Sequence, residues 1–457
     1  MLVRTRYLHR IGVASTGLGA DMDSSLERVL DEQRTLALPT ITPRDVRVPD
    51  LPGMATAFVG MRRVGKSYLM LQEMQRLLES GVPRSHMLAL NLEDDRLGQV
   101  DLSTLDQALE YLFRTGPARN EQTAHLFCDE IQAVPDWEQF VLRVLNTENA
   151  RVRVTGSSAK LLSTEIASSL RGRSTAVEVL AFSFREYLRH QGREALAAEP
   201  VGAPARSALE AAFDAYLHEG GFPAVQGMAP IDRRRTLQDY VDLVVFRDVA
   251  DRWDVGNRVA LKWLVSHLLS TFSREFAINR VYNDLKSQGV AVGKDTLHAY
   301  LDHLLDARLI YAISIRSSSY RARQVNPRKV YAADPGLASA VAHPSADDLG
   351  HLLENAVYLE LRRRYCRLHE EAVTYFASDA GNADFVVDRD AGEPLVVQVC
   401  ASLSGDETRA REFAGTYAAM ASLGVRTATI VTLTEAESVT TSAGTVEVVP
   451  AWRWMLL

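Results

Sequence analysis

The chain has 457 residues, too many for one ordinary core, so two or three domains are expected. Apolar residues make up 47% and charged residues 24%, the range of a globular protein, and no apolar run approaches the ~20 residues a membrane helix needs. A formal net charge of -7 excludes a uniformly basic nucleic-acid coat, so any such contact must come from a local patch. Cys128, Cys366 and Cys400 form neither a metal-ligand cluster nor a disulfide framework, which points to a reducing, cytoplasmic setting away from membranes.

Residues 1–23 carry basic side chains but no apolar stretch of signal-peptide length, and are expected to be a flexible extension, with Met1 and Met22 both candidate starts. From residue 24 the spacing of Leu26, Val29 and Leu30 predicts a helix. A polar, proline-bearing stretch from Pro39 to Pro52 then leads to the apolar run ATAFVG. The runs MLALNL, AHLFCD, RVRVTG and TAVEVL follow, alternating with helical stretches such as SYLMLQEMQRLLES and WEQFVLRVLN. That alternation predicts a parallel sheet covered by helices. Residues 181–255 read as mostly helical around the turn Gly220-Gly221-Phe222-Pro223, residues 257–315 as three helices and a strand, and the rest as mixed α/β. The least apolar segments, 197–207 and 317–329, are the linker candidates.

The segment GMRRVGKS fits the P-loop spacing at Gly60, Gly65, Lys66 and Ser67, between an apolar strand and an amphipathic helix. Glycines let successive backbone N–H groups face phosphate oxygens, and the helix N-terminus adds its positive end. Gly60, Arg62, Arg63, Val64, Gly65, Lys66, Ser67 and Tyr68 are therefore the candidate ATP contacts. Lys66 is expected at the β- and γ-phosphates and the Ser67 hydroxyl on Mg²⁺. Downstream, AHLFCDEIQ is an apolar strand ending in two acids. Asp129 is the second candidate Mg²⁺ ligand, and Glu130 the candidate for polarising the attacking water. After RVRVTGSS, Ser157 is the preferred γ-phosphate sensor, with Thr155 and Ser158 as alternatives to it and a helix-capping serine as the plainer reading. Arg171 and Arg173 precede the next strand. Arg173 is the preferred arginine finger, acting in trans on a neighbour's nucleotide, against the plainer reading of a salt-bridged surface arginine.

Together these segments, with VTGSSAKLLSTEIASSLRGR, AFSFREYL, EGGFP, KVYAADPGLA and LGHLLENAVYLELRRR, resemble a group of prokaryotic AAA+ ATP-binding proteins related to archaeal ATPases. The resemblance spans roughly residues 24–455. It implies an α/β chain: a P-loop AAA+ core (24–185), a helical lid (186–255), a winged helix (256–330) and a restriction-endonuclease-like C-terminal domain (331–457). It supplies no substrate.

Three segments fit the winged helix: VALKWLVSHLLSTF, AINRVYNDLKSQG and GKDTLHAYLDHLLDARL, the last with Leu297, Tyr300, Leu301, Leu304 and Leu305 on one face. The following stretch carries Arg316, Arg321, Arg323, Arg328 and Lys329 without an acid, a candidate phosphate-backbone contact with Tyr320 for stacking. The acids Asp295, Asp302 and Asp306 around Lys294 argue against base reading by the helix before it. The last hundred residues resemble a PD-(D/E)xK nuclease through Glu354 and Asp384. Gln398 stands where the second acidic ligand is expected and Cys400 where the lysine is expected, so the expectation is a degenerate, non-cleaving domain with Cys400 as a buried apolar residue. The expected activity is Mg²⁺-dependent ATP hydrolysis in a homo-oligomer, coupled to conformational change on DNA or a protein partner. The alternatives are a nucleotide-switched binding protein with little turnover and a metal-dependent DNase.

Overall fold

A computed structural model describes residues 23–156, 170–198, 201–342, 348–366 and 371–457. The chain enters through the helix Ser24–Thr35, capped by the Asp23 side chain accepting from Ser25 N at 2.8 Å. Leu26, Val29 and Leu30 form its buried face, as their spacing predicts.

Five strands build the first sheet: β1 (Ala55–Val59), β2 (Met87–Asn91), β3 (Ala124–Asp129), β4 (Ala150–Thr155) and β5 (Ser174–Glu178). Their spatial order is β2-β3-β4-β1-β5, every pairing parallel. β1 has all five residues buried, which explains its unbroken apolar run. One strand, β4, therefore separates the P-loop strand β1 from the acid-tipped β3. All five strands point the same way, so the P-loop and Asp129-Glu130 emerge at one edge of the sheet.

Beyond β5, a capping box between Ser183 and Glu186 opens the helix Phe184–His190. Phe184, Tyr187, Phe213 and Tyr216 pack it onto the helix Ala203–Glu219, which begins inside the stretch expected to be a linker. The helix Pro230–Leu243 runs directly into a π-helical turn, Val244–Ala250. The helices Arg258–Ser270, Ile278–Ser287 and Lys294–Asp306 follow, with a small antiparallel sheet ordered β6-β8-β7: β6 (Arg274–Phe276), β7 (Ile310–Ile313) and β8 (Arg328–Ala332). The element order here is helix, strand, helix, helix, strand, short helix, strand. The second linker candidate is not a linker throughout: it holds the short helix Tyr320–Val325 and the start of β8.

The C-terminal region is a six-stranded mixed sheet ordered β13-β14-β12-β11-β10-β9: β9 (Val373–Ser378), β10 (Gly381–Val387), β11 (Leu395–Val399), β12 (Thr427–Thr432), β13 (Glu437–Thr441) and β14 (Gly444–Pro450). The helices Leu349–Tyr365 and Asp406–Leu423 cover it. Part-buried ion pairing joins it to the first sheet: Glu178 at the end of β5 accepts from Arg362 Nε and Nη2 at 2.7 and 2.9 Å. The glycine turn docks nearby, where Gly221 N donates to Asp334 Oδ2 at 2.6 Å. A Cβ on Gly220 would fall 1.9 Å from Asp334 Oδ1, and Gly220 has φ +75°, so the turn requires glycine there. Among the described residues no helix is long and apolar enough to cross a membrane.

Candidate nucleotide site

The loop after β1 is held open by its glycines. A Cβ on Gly60 would meet the Val179 carbonyl oxygen at 2.2 Å, and Gly65 has φ +101°. The helix Lys66–Glu79 starts at once. Lys66 is 6% exposed, and its Nζ donates to the carbonyls of Gly60 and Met61, both at 3.0 Å. Burial lowers the pKa of this ammonium, against the opposing pull of Glu130 and Asp248. Ser67 and Tyr68 follow on the exposed side of the first turn.

The loop is braced from behind by Arg44, which the sequence places in an unremarkable proline-bearing stretch. Its Nη1 donates to Val64 O at 3.0 Å and its Nη2 to Leu180 O at 2.5 Å, and its guanidinium pairs with Glu186 and lies over the Phe182 ring. A planar fork that binds the loop backbone on one side and the segment after β5 on the other fixes where the loop sits.

The acidic edge is equally ordered. Thr155, at the end of β4 and fully buried, donates its hydroxyl to Asp129 Oδ1 and accepts from Glu130 N at 3.1 Å. Glu130 adopts φ +53°, a left-handed backbone uncommon for a residue other than glycine. Gln132 Nε2 donates to Glu130 Oε2 at 2.5 Å. Strands lie about 4.8 Å apart, so the acids at β3 sit about 10 Å from β1 across β4. Both acids influence Lys66 electrostatically. Mg²⁺ that arrives with a nucleotide needs only one or two protein oxygens, and an exposed Ser67 with a part-buried Asp129 is a donor set of that kind.

Other expectations are placed less simply. Ser157 and Ser158 lie outside the described residues, whereas the alternative Thr155 is the residue that links the two acids. Ala55 N donates to Arg173 O at 2.9 Å, so Arg173 stands at the N-terminal ends of the strands, the edge opposite its own P-loop. A five-residue strand separates the edges by about 16 Å. Arg173 is exposed and donates to Asn146 Oδ1. Two residues at the site have no sequence signal of their own. Arg44 is one. The other is Asp248 of the π-helical turn, which accepts from Arg62 Nε through both oxygens at 2.9 Å.

The basic stretch is divided by the fold. Arg321 is exposed, and Arg323 and Arg328 are half-buried. Arg316 pairs with Asp388 of the C-terminal region at 2.7 Å. Lys329 turns inward: Nζ donates to Asp384 Oδ1 at 2.7 Å and to Glu354 Oε1 at 3.0 Å, with its side chain 14% exposed. As a nucleic-acid contact Lys329 is thus corrected, because its charge is already spent on two carboxylates. Tyr331 OH also donates to Glu354, at 2.9 Å, and Val399 N donates to Asp384 Oδ2 at 3.0 Å. Gln398 accepts from Asp384 N at 2.9 Å and donates to Glu412 Oε2 at 2.6 Å. An amide does both; a glutamate there would set one carboxylate against another. Cys400 is half-buried rather than buried, and its thiol donates to Ser402 O at 3.0 Å. Among the described residues no group of three or more His, Cys, Asp or Glu is arranged to hold a metal ion.

Comparison with known proteins agrees with the geometry. Residues 53–188 match the family model of an AAA domain, and residues 210–348 that of a domain of unknown function. An uncharacterized protein of Methanocaldococcus jannaschii is 28% identical over 437 residues, 94% of this chain and 94% of its own. One of Haemophilus influenzae is 29% identical over 343 residues, 74% of this chain and 80% of its own. A Walker-type ATPase of Pyrococcus abyssi aligns with 70% of this chain and 95% of its own at 15% identity, with a TM-score of 0.42. A glycine-shaped phosphate loop on β1, an acid-tipped strand β3 on the far side of β4 and the family match over residues 53–188 together make this part of the chain similar to a P-loop AAA domain.

Proposed function

We propose that the chain binds Mg-ATP at Gly60–Ser67 and hydrolyses it, using the nucleotide to drive movement between its P-loop core and the helices that follow. The observation that carries this reading is the Asp129–Thr155–Glu130 arrangement across one strand from Lys66. Asp129 and Ser67 would hold Mg²⁺, whose charge would offset that of the phosphates. Lys66 exchanges its two carbonyl partners for phosphate oxygens. Glu130 orients and deprotonates the attacking water. Arg62, Arg63, Val64, Gly65 and Tyr68 line the approach, and Ser157 or Thr155 senses the γ-phosphate.

Arg173 acts, in this reading, only in trans. Its place at the far edge of the sheet supports an assembly in which it reaches a neighbouring copy's nucleotide. The exposed Arg321, with Arg323 and Arg328, is the remaining candidate surface for a DNA backbone; a protein partner is the other candidate. A compartment with a reducing interior, the cytoplasm, suits the three free thiols.

Steady-state ATPase assays of wild type, Lys66→Ala and Glu130→Gln test the reading. Turnover in wild type that vanishes in both variants, with ATP binding kept in Glu130→Gln, is the expected result. Equal rates in all three would overturn it. A second reading, a nucleotide switch with little turnover, is favoured by one contact. Gln132 engages Glu130 at 2.5 Å and so occupies an oxygen that would otherwise face water. If Gln132→Ala leaves a negligible rate unchanged, the switch reading gains; if the rate rises, the enzyme reading does.

A further inference from the structure

Arg62 is the third residue of the P-loop, yet its partner is 186 positions away in sequence. That partner, Asp248, lies on the π-helical turn Val244–Ala250 and is 4% exposed. This is not a surface ion pair: the two side chains are 24% and 3% exposed. Burying a carboxylate is costly unless a cation accompanies it, and Arg62 is the cation that touches it. Asp248 also feels Lys66 and Glu130, so it faces the ground between the P-loop lysine and the acidic strand end. Burial holds its carboxyl above the ordinary aspartate range even with Arg62 beside it.

The turn that carries Asp248 is itself unusual. An i→i+5 turn is rarer and wider than an α-turn, and such turns concentrate at functional positions. Here it continues the helix Pro230–Leu243 without a break, burying Val244, Val245, Val249 and Ala250 together with Asp248. The lid thus delivers one negative charge to the phosphate loop.

A nucleoside triphosphate carries several negative charges into the same ground. It is attracted to Arg62 and repelled by Asp248, so phosphate and carboxylate compete for one guanidinium. We propose that Asp248 is a positioning residue that holds Arg62 for the lid, and that the phosphates of ATP take Arg62 from it, releasing the π-helical turn from the P-loop. The inference rests on the reading that Gly60–Ser67 binds ATP, and it names how that binding reaches the lid. ADP, with less charge, competes less well than ATP.

The test uses the full chain as wild type, Asp248→Asn, Arg62→Gln and Lys66→Ala. ATP and ADP affinities are measured calorimetrically with Mg²⁺, and amide hydrogen exchange is followed across residues 244–250. Asp248→Asn is expected to bind ATP about tenfold tighter, a coupling of ordinary size between two sites, with a smaller gain for ADP. Exchange in the π-helical turn should rise when ATP is added to wild type. It should already be raised in Asp248→Asn and in Arg62→Gln without nucleotide, while Arg62→Gln binds ATP more weakly. Unchanged ATP affinity in a folded Asp248→Asn, or no response of the turn to ATP in wild type, overturns the proposal. Should Asp248→Asn fail to fold, unaltered exchange in Arg62→Gln overturns it alone. Equal ATP binding by Lys66→Ala and wild type is a different result, and it removes the nucleotide-site reading on which the proposal stands.

Discussion

Among the described residues two inward-turned lysines, Lys66 and Lys329, sit among carboxylates, and their partners make them opposites. Lys66 bonds to two backbone carbonyls, with Glu130 and Asp129 felt only across space. Burial lowers the pKa of its ammonium, so its charge is poorly compensated and available to an anion. Lys329 bonds directly to Asp384 and Glu354. Burial works against that ammonium as well, but the two carboxylates outweigh it and hold its pKa above the ordinary lysine value. The contrast separates a lysine that is free to exchange its partners from one that completes a structural joint. Neutral carbonyls can be traded for phosphate oxygens at little cost. One buried and one part-buried carboxylate cannot be left behind without stranding their charge.

The largest expected effect breaks the first half of that contrast. Lys66→Ala should reduce ATP turnover by roughly a hundredfold or more, as removal of a single charged contact in a phosphate site does, with thermal stability little changed. Glu130→Gln should cut turnover by roughly 10²–10⁴-fold while keeping ATP affinity, which calorimetry beside the steady-state assay would show. A loss of affinity equal to the loss of rate would place Glu130 in binding rather than in water activation.

Lys329→Met tests the other half. Removing one partner of a buried pair costs roughly 3–5 kcal/mol, so urea unfolding should report a large stability loss while ATP affinity at the distant P-loop stays near wild type. The pH dependence has a definite sign. Burial first, and then Asp384, hold Glu354 above the ordinary glutamate value of 4.5. An acid raised in the folded state contributes stability below its unfolded pKa and loses it as pH rises through the folded one. Lys329 opposes that rise, so without it Glu354 is held higher still and the deficit of Lys329→Met should grow from pH 5 to pH 8. A deficit that shrinks over that range would show that Lys329 does not neutralise the pair. The smallest effect sharpens the comparison: Gln132→Ala, which frees a Glu130 oxygen, should raise turnover a few-fold without altering ATP affinity.

The C-terminal cluster also shows what sequence comparison by position cannot see. With Cys400 at the expected lysine position, the sequence beyond Lys329 offers Asp384 no lysine. The fold brings one from β8, a strand of the small antiparallel sheet, 55 residues before Asp384 and 25 before Glu354. Lys329 stands in an acid-free run, and the same composition that suggests a phosphate contact conceals this role. Gln398 likewise reads as a lost ligand in the sequence, while in the structure its amide bridges Asp384 and Glu412.

Much of the nucleotide site was legible in advance. The strands β1 to β5, the glycine loop and the acids at the end of β3 lie where their runs and spacing predict. The first helix buries the three residues its periodicity selects. Arg44 and Asp248 were not legible, nor was the choice of Thr155 as the link between Asp129 and Glu130. An arginine before a strand and an aspartate on a helix carry no pattern that distinguishes them from surface charges.

The sequence by itself determined the parts that act through neighbouring residues. A phosphate loop works because consecutive backbone groups curl around an anion, so its requirements appear as fixed spacings of glycine, lysine and serine. An apolar strand ending in acids is local in the same way. Tertiary structure alone decided which distant charges meet. Asp248 reaches Arg62 across 186 positions, and Lys329 reaches Asp384 across 55. The physical reason is that a buried charge must find a partner of opposite sign in space, wherever the chain supplies one, and that requirement leaves no periodicity in the sequence.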